Sequence, residues 1–236
     1  MKTQLLSLQY DAEAEFIERP NRFLGLVNIN GHENLAHIHD PGRLKELLFP
    51  GNHILIKRAD NPNRKTRWDL IAAKNKNQWI LVHSGYHRAI VENILKHPKI
   101  NPFGKLSDIK PELSVGHSRL DFLLTKPDGS KIYTEVKGCT LTISGTALFP
   151  DAPTERGTRH LKTLISLLKP RTQAAMIILV FRPDSKCFAP YTKTDMKFAE
   201  TFKTAIRHGI TAHPMVLSYN GKHILFEKSI PVCPNL

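Results

Sequence analysis

The sequence SRLDFLLTKPDGSKIYTEVKG, residues 118–138, has the alternating pattern of a β-hairpin with acidic residues on both sides of its turn. Asp121 precedes the turn, and Glu135 and Lys137 follow it. Because residues i and i+2 of a strand share a face, Glu135 and Lys137 project together. Two carboxylates and a lysine on one surface are the groups of a metal site that acts on phosphodiesters. The same alternation is also typical of an ordinary solvated strand.

The length of the turn decides whether Asp121 joins the other two side chains. In an antiparallel pair, the numbers of facing residues have a constant sum. A three-residue loop at 127–129 places Asp121 opposite Glu135, with Cβ atoms roughly 5 Å apart. A two-residue loop at 128–129 places Asp121 opposite Val136 and on the other face, unless a bulge intervenes. Both loops suit these turn residues, so the alternatives stay open.

A facing pair of Asp121 and Glu135 would bind a cation, because two close carboxylates repel each other. Mg²⁺ or Mn²⁺ fits such a site, since both prefer oxygen ligands and Mg²⁺ is usually held by one or two carboxylates plus substrate phosphates. The carbonyl oxygen of Val136 can add a ligand. The sequence thus predicts Asp121 and Glu135 as metal ligands. It predicts Lys137 as the catalytic group that orients the attacking water or stabilises the phosphorane.

The chain is strongly basic, which predicts a polyanionic partner. Its 236 residues contain 34 lysines and arginines against 21 acidic residues, a formal charge of +13. Such a field attracts nucleic acid, because neutralised phosphates release counterions, although a basic protein without this partner has the same composition. The longest apolar run, AAMIILVF at 174–181, is far shorter than the roughly 20 residues that span a membrane. Since the N-terminus also lacks the order of a signal peptide, we expect a cytoplasmic protein.

The cysteines and histidines do not have the spacing of a structural metal site. Cys139, Cys187 and Cys233 are far apart and form no CxxC pattern, so we expect neither a disulfide framework nor a zinc knuckle, and three buried free thiols. His37 and His39 of the HIHD motif share a strand face, but no third ligand lies at a typical spacing. The sequence therefore predicts no zinc site there.

The N-terminal third of the chain predicts a small β-barrel. Short alternating segments between residues 16 and 82 are separated by turn residues, and Asn30 followed by Gly31 is a strong hairpin signal. Between two of these strands, DPGRLKELLFPG at 40–51 has a capping aspartate, an early proline, a leucine stripe and a Pro-Gly stop. We expect this segment to be a short helix that plugs the barrel.

The pattern changes after Ser84 to helices alternating with strands. Helices are predicted over 84–98, 154–170 and 194–209, and buried strands between and after them. This alternation implies a mixed central sheet with crossovers. The predicted domains are an OB-like β-barrel over 1–83, which binds nucleic acid, and an α/β domain over 84–236.

The loop IKRADNPNRKTRW at 56–68 is the better of two candidate DNA contacts. OB-type barrels bind single strands through a basic groove and stacked aromatic rings. Its predicted phosphate contacts are Lys57, Arg58, Arg64, Lys65 and Arg67. Trp68, at the end of the loop, is predicted to pack in the barrel core rather than to stack on a base.

A second basic surface follows the hairpin acids in sequence. The residues that can line the same cleft are Arg156, Arg159, His160 and Lys162, of which Arg156 and Arg159 are predicted nucleic-acid contacts. An ordinary charged outer face of a helix explains them nearly as well. The preceding stretch, SGTALFPDAPTERG at 144–157, predicts a polar loop over the acids.

Six segments resemble the sugar fermentation stimulation protein A family. They are NRFLGLVN, HDPGRLKELLFPG, TRWDLIAAK, SRLDFLL, EVKGCTL and LFPDAPTERGTRHLKTL, in this order and within residues 21–232. The resemblance implies an N-terminal OB-fold, a nuclease-like domain of the PD-(D/E)xK kind, and a DNA-binding role tied in bacteria to the regulation of sugar use. It places the nuclease-type motif on Asp121, Glu135 and Lys137, with Glu92 as a candidate accessory acid.

Two hypotheses from different classes follow. The first is a Mg²⁺- or Mn²⁺-dependent DNA nuclease with little sequence preference. The second is a non-catalytic DNA-binding regulator that keeps the nuclease scaffold. Leu120 stands where the nominal motif of the superfamily has proline, a departure that the superfamily tolerates. The strandedness of the DNA and the oligomeric state stay open.

Overall fold

The computed structural model describes residues 2–61 and 63–234, and the strands before residue 84 form a barrel and its flanks. They are β1 (Thr3–Ser7), β2 (Ala12–Asn21), β3 (Leu24–Ile29), β4 (His32–His37), β5 (His53–Arg58), β6 (Trp68–Asn75) and β7 (Gln78–Leu81). Strands β2 to β6 pair in the order β4-β3-β2-β5-β6, and a parallel pairing of β4 with β6 closes the ring. The predicted barrel is confirmed.

The Asn-Gly hairpin between β3 and β4 forms as predicted. Asn30 and Gly31 both have positive φ angles, of 51° and 87°, between the paired residues Ile29 and His32. Two consecutive positive φ angles define the type I′ turn, whose twist matches that of the strands that it joins. Asparagine and glycine adopt these angles at little cost, so the dipeptide fixes the register of β3 against β4.

The segment 40–51 plugs the barrel, but the predicted helix is wrong. The segment is a series of turns, and Leu44 has a positive φ of 52° that a helix does not contain. The amide of Leu44 donates to the Asp151 carboxylate of the second half at 2.9 Å. The Leu48 amide donates to the Leu44 carbonyl at 2.7 Å, which closes a single turn that does not continue as a helix. Leu47 and Leu48 are still buried with Leu44 in the barrel core, so the apolar spacing predicted burial and not conformation.

Residues 84–234 form the predicted mixed sheet with helices on it. The elements are a 3-10 turn (Ser84–Tyr86), α1 (His87–Lys96), β8 (Asp108–Val115), β9 (Ser118–Thr125), β10 (Lys131–Cys139), β11 (Leu141–Ile143), β12 (Thr146–Phe149), α2 (Glu155–Ser166), β13 (Thr172–Val180), β14 (Cys187–Pro190), α3 (Met196–Arg207), β15 (Thr211–Tyr219) and β16 (His223–Ser229). The sheet order is β7-β15-β13-β10-β9-β8. Strands β10, β13 and β15 are parallel and the flanking strands are antiparallel, so the mixed architecture is confirmed.

The three predicted helices form, and each buries one apolar face. Helix α1 buries Ile90, Val91, Ile94 and Leu95, as its pattern predicts. Helix α2 is capped by the Thr154 side chain, which accepts from the Gly157 amide at 3.0 Å. None of the helices in the described ranges is long and apolar enough to cross a membrane.

The barrel and the second half share one sheet and one core. Strand β1 pairs with β16, and β7 joins β15 through Trp79 and Tyr219. The largest core cluster includes Ile56 and Leu70 of the barrel together with Phe122 of β9. Continuous packing of this kind holds the two halves in one arrangement, so the space between them has a defined shape.

Two predictions for residues 139–233 need correction. The stretch 144–157 is not a loop throughout, because 146–149 form β12, which pairs with β11 and β14 in a small second sheet. Cys187 and Cys233 are joined in a disulfide, so the prediction of three free thiols is wrong for this pair. A bridge between Phe188 and Val232 brings their segments together, and sequence spacing alone does not reveal it. Cys139 is a buried free cysteine, and burial raises the pKa of its thiol.

The plug segment makes a testable contribution to stability. Leu47 is fully buried, whereas Phe49, two residues later, is 46% exposed. Leu47→Ala should lower the free energy of unfolding by about 2–5 kcal/mol, because it removes buried methyl groups and leaves a cavity. Phe49→Ala should change it by less than about 0.5 kcal/mol. Urea unfolding of both variants measures the difference, and equal small effects would show that the segment does not fill the barrel.

Candidate metal centre and basic surfaces

The register of the β9–β10 hairpin brings Asp121 and Glu135 to facing positions. The pairs run from Lys131 with Thr125 to Thr134 with Phe122, and the next pair in this register is Asp121 with Glu135. The Lys126 amide donates to the Ser130 carbonyl at 2.9 Å, which leaves a three-residue loop at 127–129. Of the two loop lengths that the sequence allows, the three-residue loop forms.

Asp121 is a partly buried carboxylate that is attached to the neighbouring strand. Its Oδ2 accepts a hydrogen bond from the Val136 amide at 2.7 Å. Burial, and then the negative charge of Glu135, raise the pKa of Asp121 to about 6. A positive ion beside this carboxylate would stabilise its charged form.

Glu135 is almost fully buried, at 2% exposure, and its carboxylate accepts hydrogen bonds from one lysine and one histidine. Its Oε1 accepts from Lys137 Nζ at 2.5 Å and from His160 Nδ1. Burial opposes ionisation, but Lys137 and then His160 outweigh it, so the pKa of Glu135 lies below its usual value. The buried Oε2 has no hydrogen-bond partner among the residues that the structure describes.

His160 belongs to this site and reaches it from helix α2. It is 2% exposed, and its second ring nitrogen, Nε2, accepts from Arg156 Nε at 3.4 Å. A neutral ring with its proton on Nδ1 satisfies both contacts. The sequence placed His160 beside the candidate cleft residues. Its spacing of four residues from the buried Leu164 is the signal that it faces inward.

His87, at the start of α1, is a further residue that sequence reasoning missed. Its ring lies so close to β10 that a Cβ added at Gly138 would clash with its Cε1 atom, so only glycine fits there. Burial, and then the charge of Lys137, lower the pKa of His87 to about 4. A neutral imidazole therefore lies beside the lysine of the site.

Glu92, the candidate accessory acid, is held by α1. Its Oε1 accepts from Arg88 Nε at 3.0 Å, and Arg88 also reaches Glu112 at 3.3 Å. A role for Glu92 as a ligand stays a prediction.

The arrangement fits a divalent cation. Burial, followed by repulsion from Glu135, raises the pKa of Asp121, so a cation beside both carboxylates would favour their charged forms. The Oε2 of Glu135 is a buried acceptor without a donor in the described part of the chain. Hard cations such as Mg²⁺ satisfy carboxylate oxygens of this kind. Lys137 contacts only Oε1 of Glu135, so this contact is compatible with metal binding by Oε2.

His39, Asp69 and His83 form a second group of candidate ligand atoms, all within 4.8 Å of one another. Only His39 of the HIHD motif belongs to this group. The other two members are Asp69 of β6 and His83, which follows β7. Arg64 and His39 already donate to Asp69 at 2.8 and 3.0 Å. The rings of His39 and His83 are stacked at 3.6 Å with a 23° angle, so their in-plane lone pairs do not converge. The contacts describe a partly buried network of an ion pair and stacked rings rather than a metal site.

The predicted DNA contacts of the barrel differ in exposure. Arg58, Lys65 and Arg67 are exposed, and Lys57 is partly buried. Arg64 is engaged with Asp69 and is thus a structural residue of the loop. Trp68 packs against the barrel core, as expected, and Arg58 lies over its ring at 5.0 Å.

The predicted contacts of the second half lie on the outer face of α2. Arg156, Arg159 and Lys162 are exposed. Arg159 and Lys162 line a shallow depression together with Lys197 of α3. Three cations around one depression form a surface that attracts phosphate groups.

A cleft of about 740 Å³ separates the barrel from the second half. The barrel contributes residues 22–23 and 39–44, and the second half contributes residues 138–141 and 148–156. Gly138 adjoins Lys137 in sequence, and Arg156 contacts His160, so the cleft lies next to the acids.

Two family models match the chain in the order of its two halves. The model described as the SfsA N-terminal OB domain matches residues 17–82, and the model described as the sugar fermentation stimulation protein RE domain matches residues 85–223. The chain belongs to the SfsA family. The resemblance of the six sequence segments is thereby confirmed, as is the architecture of an OB barrel followed by an α/β domain with a mixed central sheet.

Similarity to other SfsA proteins extends over nearly the whole chain. The sugar fermentation stimulation protein homolog of Methanococcoides burtonii is 42% identical, covering 97% of this chain and 95% of its own length. The homolog of Thermotoga neapolitana is 41% identical, with 97% and 98% covered. A solved structure, Pyrococcus furiosus SfsA in complex with Ca²⁺, is 29% identical and superposes with a TM-score of 0.90, covering 98% of this chain and 99% of that one.

The raised pKa of Asp121 predicts a pH-dependent stability. The folded protein prefers the neutral carboxyl, so its stabilising contribution is complete below pH 3.8 and is lost as the pH rises through about 6. Asp121→Asn stays neutral and can still accept from Val136. Without metal, it should raise the free energy of unfolding at pH 8 by roughly 1–3 kcal/mol, and the gain should shrink as the pH falls from about 6 towards 4. Urea unfolding in EDTA measures it; a gain independent of pH would contradict the local charge repulsion.

Proposed function

We propose that the protein is a divalent-metal-dependent DNA nuclease, with Asp121 and Glu135 as metal ligands and Lys137 as the catalytic cation. The observation that carries this proposal is the buried Oε2 of Glu135, which lacks a donor within the described ranges and belongs to the residue facing Asp121. Burying a carboxylate oxygen without a partner costs free energy, and a bound cation removes this cost.

Each side chain has a distinct task in the proposed reaction. A bound Mg²⁺ or Mn²⁺ ion supplies Lewis-acid polarisation of the scissile phosphate. Glu135 is held by His160, so its free oxygen keeps one orientation. Lys137 is 15% exposed at its side chain and can turn from Glu135 to orient the attacking water and offset charge on the phosphorane.

The Ca²⁺ complex of Pyrococcus furiosus SfsA supports a divalent ion in this family. Ca²⁺ and Mg²⁺ both bind carboxylate oxygens, but Mg²⁺ demands a tighter octahedral geometry and retains more waters. A site with two carboxylates and room for substrate oxygens matches the requirement of Mg²⁺ or Mn²⁺.

DNA is the proposed substrate because the charge of the protein and its exposed cations favour a polyphosphate. The chain has a formal charge of +13, and the exposed cations of the barrel loop and of α2 are the proposed grip. Contacts of this type are made to the backbone and carry little sequence information. A DNA substrate also implies a cytoplasmic location, which stays a prediction.

A non-catalytic DNA-binding regulator is the second candidate. The observation that favours it is the pair of contacts to Glu135 Oε1, because Lys137 and His160 already compensate the glutamate charge without a metal. A protein of this kind would bind DNA through the same cations and would not cleave it.

A nuclease assay with matched variants separates the two candidates. The proposed enzyme should cut single-stranded or plasmid DNA with Mg²⁺ or Mn²⁺ and stop in EDTA. Asp121→Asn, Glu135→Gln and Lys137→Ala should each reduce cutting by at least about 100-fold, because each removes charge stabilisation of the transition state. DNA affinity without metal should stay within about threefold of wild type.

Asp108→Asn is the matched control, since Asp108 is an exposed acid at the start of the neighbouring strand β8. It should cut like wild type. Glu92→Gln tests the accessory acid in the same assay and should lower cutting if Glu92 contributes a ligand. Folded wild-type protein that binds DNA but cuts none of these substrates with either metal would favour the regulator.

The barrel loop should contribute to DNA affinity in a salt-dependent way. Removal of one phosphate-binding cation should reduce the slope of log affinity against log salt by about 0.7–0.9. Combined replacement of Arg58, Lys65 and Arg67 by alanine should therefore weaken binding most at low salt and flatten the slope. Lys96, Lys99 and Lys105, exposed at the end of α1 and in the loop after it, give a control variant with the same loss of three positive charges. Fluorescence anisotropy over a salt series measures both, and equal effects of the two variants would reject the loop as a specific grip.

A further inference from the structure

The cleft between the barrel and the nuclease-like half has the size of a small-ligand pocket. Its volume of about 740 Å³ lies in the range of roughly 300–1,000 Å³ that is typical of sites for single small molecules. One nucleotide fits such a space, whereas a base-paired duplex does not. Gly138 and Arg156 of its lining are next to Lys137 in sequence and in contact with His160, so a nucleotide in the cleft would lie near the candidate metal centre.

Phe23, at the barrel side of the cleft, is an exposed aromatic ring on a rigid backbone. It is 47% exposed, although an aromatic side chain of this size is normally covered. Its amide donates to Asn21 Oδ1 at 2.9 Å, and its carbonyl accepts from the Ile38 amide at 3.0 Å. The fixed backbone presents one ring face at little further entropic cost.

A column of rings supports Phe23 from behind. Phe23 stacks on His37 at 6.3 Å with a 20° angle, and His37 contacts His39 edge-on at 4.3 Å. His39 stacks in turn on His83. The inner end of the column is buried, so the outer face of Phe23 is the position where another flat ring can be added. Base stacking on an aromatic ring does not depend on base identity.

The acidic floor of the cleft is formed by Asp40 and Asp151, and its rim contains the exposed residues Arg22, Glu155 and Arg156. Asp40 Oδ1 accepts from the Gly42 amide at 2.7 Å, and Asp151 Oδ2 accepts from the Leu44 amide, so both carboxylates are fixed in the lining. A phosphate group would be repelled there. The exocyclic amino groups of bases are donors, and carboxylates accept from them. Arg156 is exposed at the rim, where a phosphate can reach it.

We propose that this cleft holds one unpaired nucleotide of DNA, with its base stacked on Phe23 and turned to the acidic floor, and its phosphate at Arg156. The preferred substrate is then a single strand or a duplex with an unpaired base. This inference rests on the proposed DNA nuclease function and names its substrate class.

Binding of a short single strand and of the matching blunt duplex to the full chain, in EDTA, tests the proposal. Wild type should bind the single strand more tightly. Phe23→Ala should weaken single-strand binding by about 5- to 100-fold, because stacking on an aromatic ring contributes about 1–3 kcal/mol per base. Duplex affinity should stay within about twofold. A 2-aminopurine in the strand should change fluorescence on binding to wild type and much less on binding to Phe23→Ala.

Phe49→Ala is the matched control, because Phe49 is a phenylalanine of nearly equal exposure outside the cleft lining. It should leave both affinities unchanged. An equal loss for strand and duplex in Phe23→Ala, or no loss for either, would overturn the cleft assignment while DNA binding itself stands. Displacement of the strand by free deoxynucleoside monophosphate at comparable concentration would show that the cleft takes a free nucleotide instead. Absence of any DNA binding by wild type would reject the proposed function together with this inference.

Discussion

The buried carboxylate of Glu135 constrains the centre of the molecule. An ionised carboxylate inside a protein costs several kcal/mol unless charged partners surround it. Lys137 comes from the same strand, but His160 comes from α2, so the charge is compensated only when α2 lies on β10. The glutamate thus holds the helix against the sheet, and its second oxygen, Oε2, has no donor among the residues that the structure describes. Both the packing of α2 on β10 and the proposed metal binding therefore depend on Glu135.

Much of the fold could be predicted because local patterns determine it. The Asn30–Gly31 turn, the apolar face of α1 and the buried strand β13 follow from turn chemistry and periodicity. The conformation of segment 40–51 could not be predicted in this way. Its leucine spacing is compatible with burial in either a helix or a set of turns, and the choice is made by the bond from the Leu44 amide to Asp151, more than one hundred residues away. Propensity does not contain such a contact.

The same distinction between local patterns and distant contacts applies to the candidate site. Asp121, Glu135 and Lys137 belong to one hairpin, so the sequence reduced their geometry to a choice between two turn lengths. The position of His160 needed the packing of α2, and the group of His39, Asp69 and His83 needed the closure of the barrel. The Cys187–Cys233 disulfide likewise depends on the C-terminal segment reaching β14. Contacts between distant segments carry no periodic signal, which is why they were not predicted.

The net positive charge of the chain and the carboxylates inside the cleft have opposite effects on a phosphate group. The exterior is positive overall and gathers polyanions over several ångströms of solvent. The lining of the cleft instead contains Asp40 and Asp151. Burial, followed by the negative charge of Asp151, raises the pKa of Asp40 to about 6. Negative groups in a confined space attract cations and repel phosphates. A strand attracted to the surface would therefore keep its backbone away from Asp40 and Asp151, whereas the scissile phosphate of the proposed reaction would lie at Lys137 and the metal ligands Asp121 and Glu135.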